Sequence, residues 1–123
     1  MSSISHCARE RGFSPERISE IELATEEALV NVFKYAYPDK IGEVEVTCKW
    51  DQEGRLIIEI VDSGVPFDMF SIGEPDTTAD ISKRKIGGLG IFLIKKLTDD
   101  VQYQREGTKN VLSLIVNKNR GRE

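Results

Sequence analysis

The sequence predicts an α+β two-layer sandwich, a mostly antiparallel sheet covered by helices on one face. Three observations point there. A helical hydrophobic period runs through residues 15–35, two pairs of alternating segments flank tight turns, and the elements follow the order helices, hairpin, loop, helix, hairpin. The 123 residues suffice for one hydrophobic core and not for two, so residues 1–123 are read as a single domain.

Ile4 to Arg11 read as a short helix stopped by Gly12, a residue suited to the left-handed C-terminal position. Ser14 then caps a longer helix, Pro15 suits its first position, and Glu16 favours the positive end of the helix dipole. Ile18, Ile21, Ala24, Thr25, Ala28, Val32 and Tyr35 recur at steps of three and four until Pro38, a helix of about six turns. From Glu43 the period becomes two: Val44, Val46, Cys48 and Trp50 share a face, Asp51–Gly54 turns, and Arg55 to Asp62 returns. A polar stretch from Ser63 to Lys85 is longer than an ordinary connection. Gly87-Gly88-Leu89-Gly90 leads into a helix, Ile91 to Thr98, and a second hairpin pairs Val101–Arg105 with Val111–Val116 around Glu106-Gly107-Thr108.

Composition excludes several functions. With 17 Lys plus Arg against 21 Asp plus Glu, a net charge of −4, no broad basic surface exists to hold a phosphate backbone, and direct nucleic-acid binding is not expected. No apolar run is long enough for a bilayer and the N-terminus lacks a signal-peptide pattern, so a soluble, cytoplasmic protein without membrane contact is expected. Cys7, Cys48 and the single histidine, His6, supply no disulfide framework, zinc spacing or serine triad.

The chemistry gathers at three places. Glu27 and Asn31 stand one turn apart on the edge of the apolar stripe; they suit a base and a metal-ligating amide, or else a solvated helix flank shared with Glu20, Glu22 and Glu26. Asp62 has the parity of Leu56, Ile58 and Ile60 and therefore points inward, where a carboxylate needs donors. Those donors are either turn amides at Ser63-Gly64 or a ligand amino group, and Gly64 permits a sharp turn or close approach of a planar ligand. Gly87-Gly88-Leu89-Gly90 before a helix makes an anion site, though it is neither a Walker A loop nor a dinucleotide fingerprint. Lys83, Arg84 and Lys85 just before it either help hold phosphate or are solvated.

Taken in order, Glu27-Ala28-Leu29-Val30-Asn31, Asp62-Ser63-Gly64, Gly87-Gly88-Leu89-Gly90 and Gly107-Thr108 resemble the boxes of the GHKL (Bergerat) ATPases. Within that superfamily the chain is most similar to the bacterial anti-sigma factor serine/threonine kinases, through Asp-x-Gly-x-Pro-Phe-Asp at Asp62–Asp68 and Gly-Gly-Leu-Gly-Ile, and the likeness runs from Ile4 to Val116. The resemblance implies that Asn31 coordinates magnesium bridging the ATP phosphates, Glu27 is the general base, Asp62 accepts the adenine amino group and Gly64 lies against the base. It further implies that Gly88, Leu89 and Gly90, with Gly87 and Lys85, meet the phosphates. Thr108 would lie beneath the adenine, and the loop from Ser71 to Ile86 would be the ATP lid. The implied partners are an anti-sigma-factor antagonist as phosphorylation substrate, a sigma factor, and a second copy in a homodimer.

Three features depart from the family. Its members begin with a strand before the first helix, whereas this chain starts almost in that helix, so the sheet is expected to lack its first edge strand. Tyr35 stands where a histidine is common, and the second box lacks its second glycine, as this branch often does. Two other readings share the fold: a nucleotide-gated protein-binding module without phosphotransfer, and the ATP-binding part of a sensor histidine kinase. The latter would need a phosphoacceptor helix, and His6 is in the wrong place for one.

Overall fold

The computed structural model describes residues 2–68 and 89–118; the expected lid from Ser71 to Ile86, with Lys85, Gly87 and Gly88, lies outside the described residues. The elements are α1 (Ser2–Glu10), α2 (Pro15–Tyr35), β1 (Val44–Trp50), β2 (Leu56–Asp62), α3 (Leu89–Leu97), β3 (Asp100–Glu106) and β4 (Lys109–Val116). The first described element is thus a helix, and α3 and β4 each begin two residues earlier than the hydrophobic pattern indicates.

Local chemistry sets the helix ends. Gly12, at φ 82°, closes α1 by giving its N–H to Arg9 O while Phe13 N reaches back to Ala8 O, satisfying two terminal carbonyls. Ser14 Oγ accepts Arg17 N at 3.0 Å and Pro15 opens α2, as expected from the sequence. Between β1 and β2, Asp51 Oδ1 accepts the N–H groups of Glu53 and Arg55, and Gly54 takes φ 81°.

The four strands form one sheet in the order β1-β2-β4-β3, each neighbouring pair antiparallel. Register aligns the inward residues in rows: Cys48, Ile58, Leu114 and Val101, then Val46, Ile60, Leu112 and Tyr103. Leu56, Ile58 and Ile60 are fully buried, and each such side chain contributes about 1.5–3 kcal/mol. They meet Ile18, Ile21, Ala28 and Val32 of α2 and Ile91 and Ile94 of α3 in one core. The outward positions of β1, Glu45, Thr47 and Lys49, are exposed, and helices cover the opposite face. The next inward row is polar: Val44, Asp62, Asn110 and Arg105. Apolar packing therefore delivers a carboxylate, an amide and a guanidinium side by side at the end of the core.

Arg17 ties the helical layer to the sheet. Only 3% exposed, it donates to Asn117 O, to Leu97 O at the C-terminus of α3, to Glu20 and to Asp99. A buried guanidinium is tolerated because these acceptors replace its water. Among the described residues, no helix is long and apolar enough to cross a membrane.

Candidate functional site

Glu27 and Asn31 lie on α2 where α3 crosses it. Asn31 is buried, and its Nδ2 donates to Glu27 O at 2.8 Å, one turn back. Because a carbonyl can only accept, this bond fixes the amide orientation and leaves Oδ1 without a donor among the described residues. α3 begins directly above. A β-carbon at Gly90 would fall 2.8 Å from Glu27 Oε1 and 3.1 Å from Asn31 Nδ2, so glycine there keeps the helix N-terminus close to both side chains. A helix N-terminus favours anions, and the Glu27 carboxylate and the Asn31 amide stand beside Gly90. Among the described residues no three His, Cys, Asp or Glu side chains gather to hold a metal; the oxygens here that could hold a cation are those of Asn31 and Glu27.

Asp62 ends β2, buried at 5% exposure. Its Oδ1 accepts two hydrogen bonds, from Gly64 N and from Asn110 Nδ2, both at 2.8 Å, while Oδ2 receives none among the described residues. Of the two kinds of donor considered from the sequence, the turn amide is present, on Oδ1. Gly64 is pressed onto the end of α2, where a β-carbon would fall 2.2 Å from Ala36 O, and Val65 N donates to that same oxygen. Tyr37 completes the support by donating its hydroxyl to Glu43 O and accepting Ser63 N.

Thr108 is not brought to Asp62; it is exposed in the β3–β4 turn. The antiparallel register places Asn110 opposite Asp62 instead. Extending the alternation of Leu112 and Leu114 by one step toward the turn puts Asn110 on the inner face, and that signal identifies it. Between Val32 of α2, the capping residue Ala36, Phe67 and the Asp62–Asn110 pair lies a cavity of about 10 Å³, room for about one water. Phe67 lines it and stacks on Tyr35 with ring centroids 4.5 Å apart. Tyr35, at the position where histidine is common, thus supports a ring that lines this cavity.

The model of the histidine kinase-like ATPase domain matches residues 1–116, and the chain belongs to that family. Curated relatives narrow the branch. Serine-protein kinase RsbW of Listeria monocytogenes serovar 1/2a is 36% identical over 122 residues, covering 94% of this chain and 77% of the relative. Serine-protein kinase RsbW of Bacillus thuringiensis strain Al Hakam is 31% identical over 109 residues, covering 85% of this chain and 68% of the relative. The branch is therefore that of the serine-protein kinases. The fold is also that of the histidine kinase domain from the Erythrobacter litoralis EL346 blue-light activated histidine kinase, with TM-score 0.57 and 20% identity over 82% of this chain and 44% of that one. A second structure of the EL346 kinase gives TM-score 0.63 at 19% identity, with 85% of this chain and 31% of that one covered. The chain spans less than half of either structure, and these two likenesses concern the fold alone.

Proposed function

We propose that the chain is an ATP- and magnesium-dependent serine/threonine protein kinase whose substrate is an anti-sigma-factor antagonist and which, as a homodimer, also holds a sigma factor. The observation that carries the catalytic part is the gathering of Glu27 and Asn31 under the N-terminus of α3, with no side chain at Gly90 to separate them. The partners rest on the sequence resemblance and on the serine-protein kinase relatives.

Asp62 Oδ2 accepts the adenine amino group, and the turn at Gly64, braced by Ala36 and Tyr37, holds that oxygen in place. The cavity beside Asp62 is water-sized, so Phe67 swings off Tyr35 to admit a base. Phosphate oxygens meet the N–H groups at the start of α3. Asn31 Oδ1 is the protein ligand for magnesium, which when bound neutralises phosphate charge. Glu27 accepts the proton of the incoming serine or threonine hydroxyl as that oxygen bonds to the γ-phosphorus and ADP departs.

The test is incubation with Mg-ATP and a candidate antagonist protein, with phosphoserine and phosphothreonine read by mass spectrometry. Transfer by wild type is expected, with a loss of about 10²–10⁴-fold in Glu27→Gln and nucleotide affinity retained. Nucleotide binding by wild type with no transfer to any antagonist would leave a nucleotide-gated binding module in place of a kinase.

A further inference from the structure

We propose that Asn110 is a positioning residue for base recognition: it holds the Asp62 carboxylate so that Oδ2 alone faces the base, and thereby sets the preference for a base carrying an amino donor. This rests on the reading of Asp62 given above.

Asn110 is 3% exposed and its side chain is locked from both ends. Its Oδ1 accepts from Tyr103 Oη at 2.5 Å, from an Arg105 guanidinium nitrogen at 3.2 Å and from Phe67 N at 3.4 Å. The last two groups can only donate, so the amide cannot be turned around. Nδ2 must then face the other way, where it donates to Asp62 Oδ1 at 2.8 Å and to Val65 O at 2.9 Å. Arg105 strengthens the lock by donating to Gly64 O at 2.9 Å, on the same turn whose N–H also reaches Asp62 Oδ1. One carboxylate oxygen is thus occupied by two donors, and the other is an acceptor fixed in direction. A base offering an N–H satisfies it, whereas a base without one leaves a buried carboxylate oxygen unpaired. Without Asn110 the carboxylate keeps only the Gly64 amide and is free to rotate, and the two bases become harder to distinguish.

The experiment measures Kd for Mg-ATP and for the magnesium complex of purine riboside 5′-triphosphate, which lacks the 6-amino group, using the full chain. Wild type is expected to favour ATP by about tenfold or more. In Asn110→Val the ratio should fall to about threefold or less, and in Asn110→Thr, which has the same shape and retains a donor, most of the preference should return. A merely structural role would weaken both nucleotides together and leave the ratio unmoved. If wild type discriminates and Asn110→Val discriminates equally, the proposal is overturned while the reading of Asp62 stands. If wild type itself does not discriminate, the reading of Asp62 fails and the proposal falls with it. Should Asn110→Val fail to fold, Asn110→Thr decides: preference kept supports the role, and preference lost removes it.

Discussion

Gly90 stands directly against Glu27: a β-carbon at residue 90 would fall 2.8 Å from Glu27 Oε1, closer than side chains tolerate. In Gly90→Ala the flexible carboxylate end can retreat, so folding is spared, but Glu27, the proposed base, is displaced from the α3 N-terminus. Phosphotransfer should fall about 10–100-fold, since misplacement by about 1 Å costs that much. The melting temperature should hold or rise slightly, because alanine favours helix over glycine. Steady-state kinetics beside a thermal melt checks this, and an unchanged kcat would remove the need for close approach.

Phe67 walls the cavity beside Asp62 while stacked on Tyr35. Replacing it by alanine should open the pocket and speed association of a fluorescent adenine nucleotide in stopped flow. The half-buried ring packs on the core, so a stability loss of about 1–2 kcal/mol should accompany the change. Association no faster than wild type would show that the ring does not obstruct the base.

Where a pattern is periodic, the sequence suffices. The stripe from Ile18 to Tyr35 and the alternation around Asp62 place α2 and β2, and parity alone turns Asp62 inward, as its 5% exposure confirms. Gly64 was legible as a special position, but not that its close neighbour is Ala36 at the end of α2. Asn110 is missed when β4 is started at its apolar run, Val111, whereas the ladder continues to Lys109 and the alternation of Leu112 and Leu114 carries on to Asn110. Arg17 was hidden for a different reason. A charged residue in a first helical turn reads as solvated, and its partners at Leu97, Asp99 and Asn117 are distant in sequence.

Arg17→Met should be the most damaging change outside the site. It takes the guanidinium from the Asp99 carboxylate, which keeps only the Asn117 N–H, and from the carbonyls of Leu97 and Asn117. Asp99 is 23% exposed, so water recovers part of the loss. A cost of about 2–4 kcal/mol is expected, below the 3–5 kcal/mol of a fully buried pair. A lowered urea midpoint at constant slope checks it; an unmoved midpoint would refute the tie between helical layer and sheet.

Asp51 gives the β1–β2 turn an acid sensitivity. The Arg55 backbone N–H foremost holds its carboxyl below the ordinary aspartate value of 3.8; desolvation, next in size, pushes the other way, and the Arg55 side chain and Glu53 N–H add to the lowering. A carboxyl depressed in the folded state adds stability above its unfolded pKa and loses it as pH falls through the folded value. The turn should therefore be intact at neutral pH and loosen only below the ordinary aspartate range. NMR titration of the Asp51 carboxyl should give a midpoint under 3.8, and Asp51→Ala should abolish the acid-dependent change in the Glu53 and Arg55 amide signals.

Cys48 should be the slow thiol. It packs half-buried against the core from β1, and burial first, then neighbouring Cys7, pushes its pKa up to about 11. The thiolate is the reactive species, so at pH 8 only about one molecule in a thousand is poised to react, against about a quarter for an ordinary thiol of pKa 8.5. Alkylation by iodoacetamide at pH 8 should therefore modify Cys48 more than about a hundredfold more slowly than a free cysteine peptide, with the rate climbing about tenfold per pH unit up to pH 10. Cys7→Ala removes the neighbour that raises this value and should accelerate the reaction. Peptide mapping after timed quenching reads both effects, and a Cys48 rate equal to that of the free peptide would contradict its buried setting.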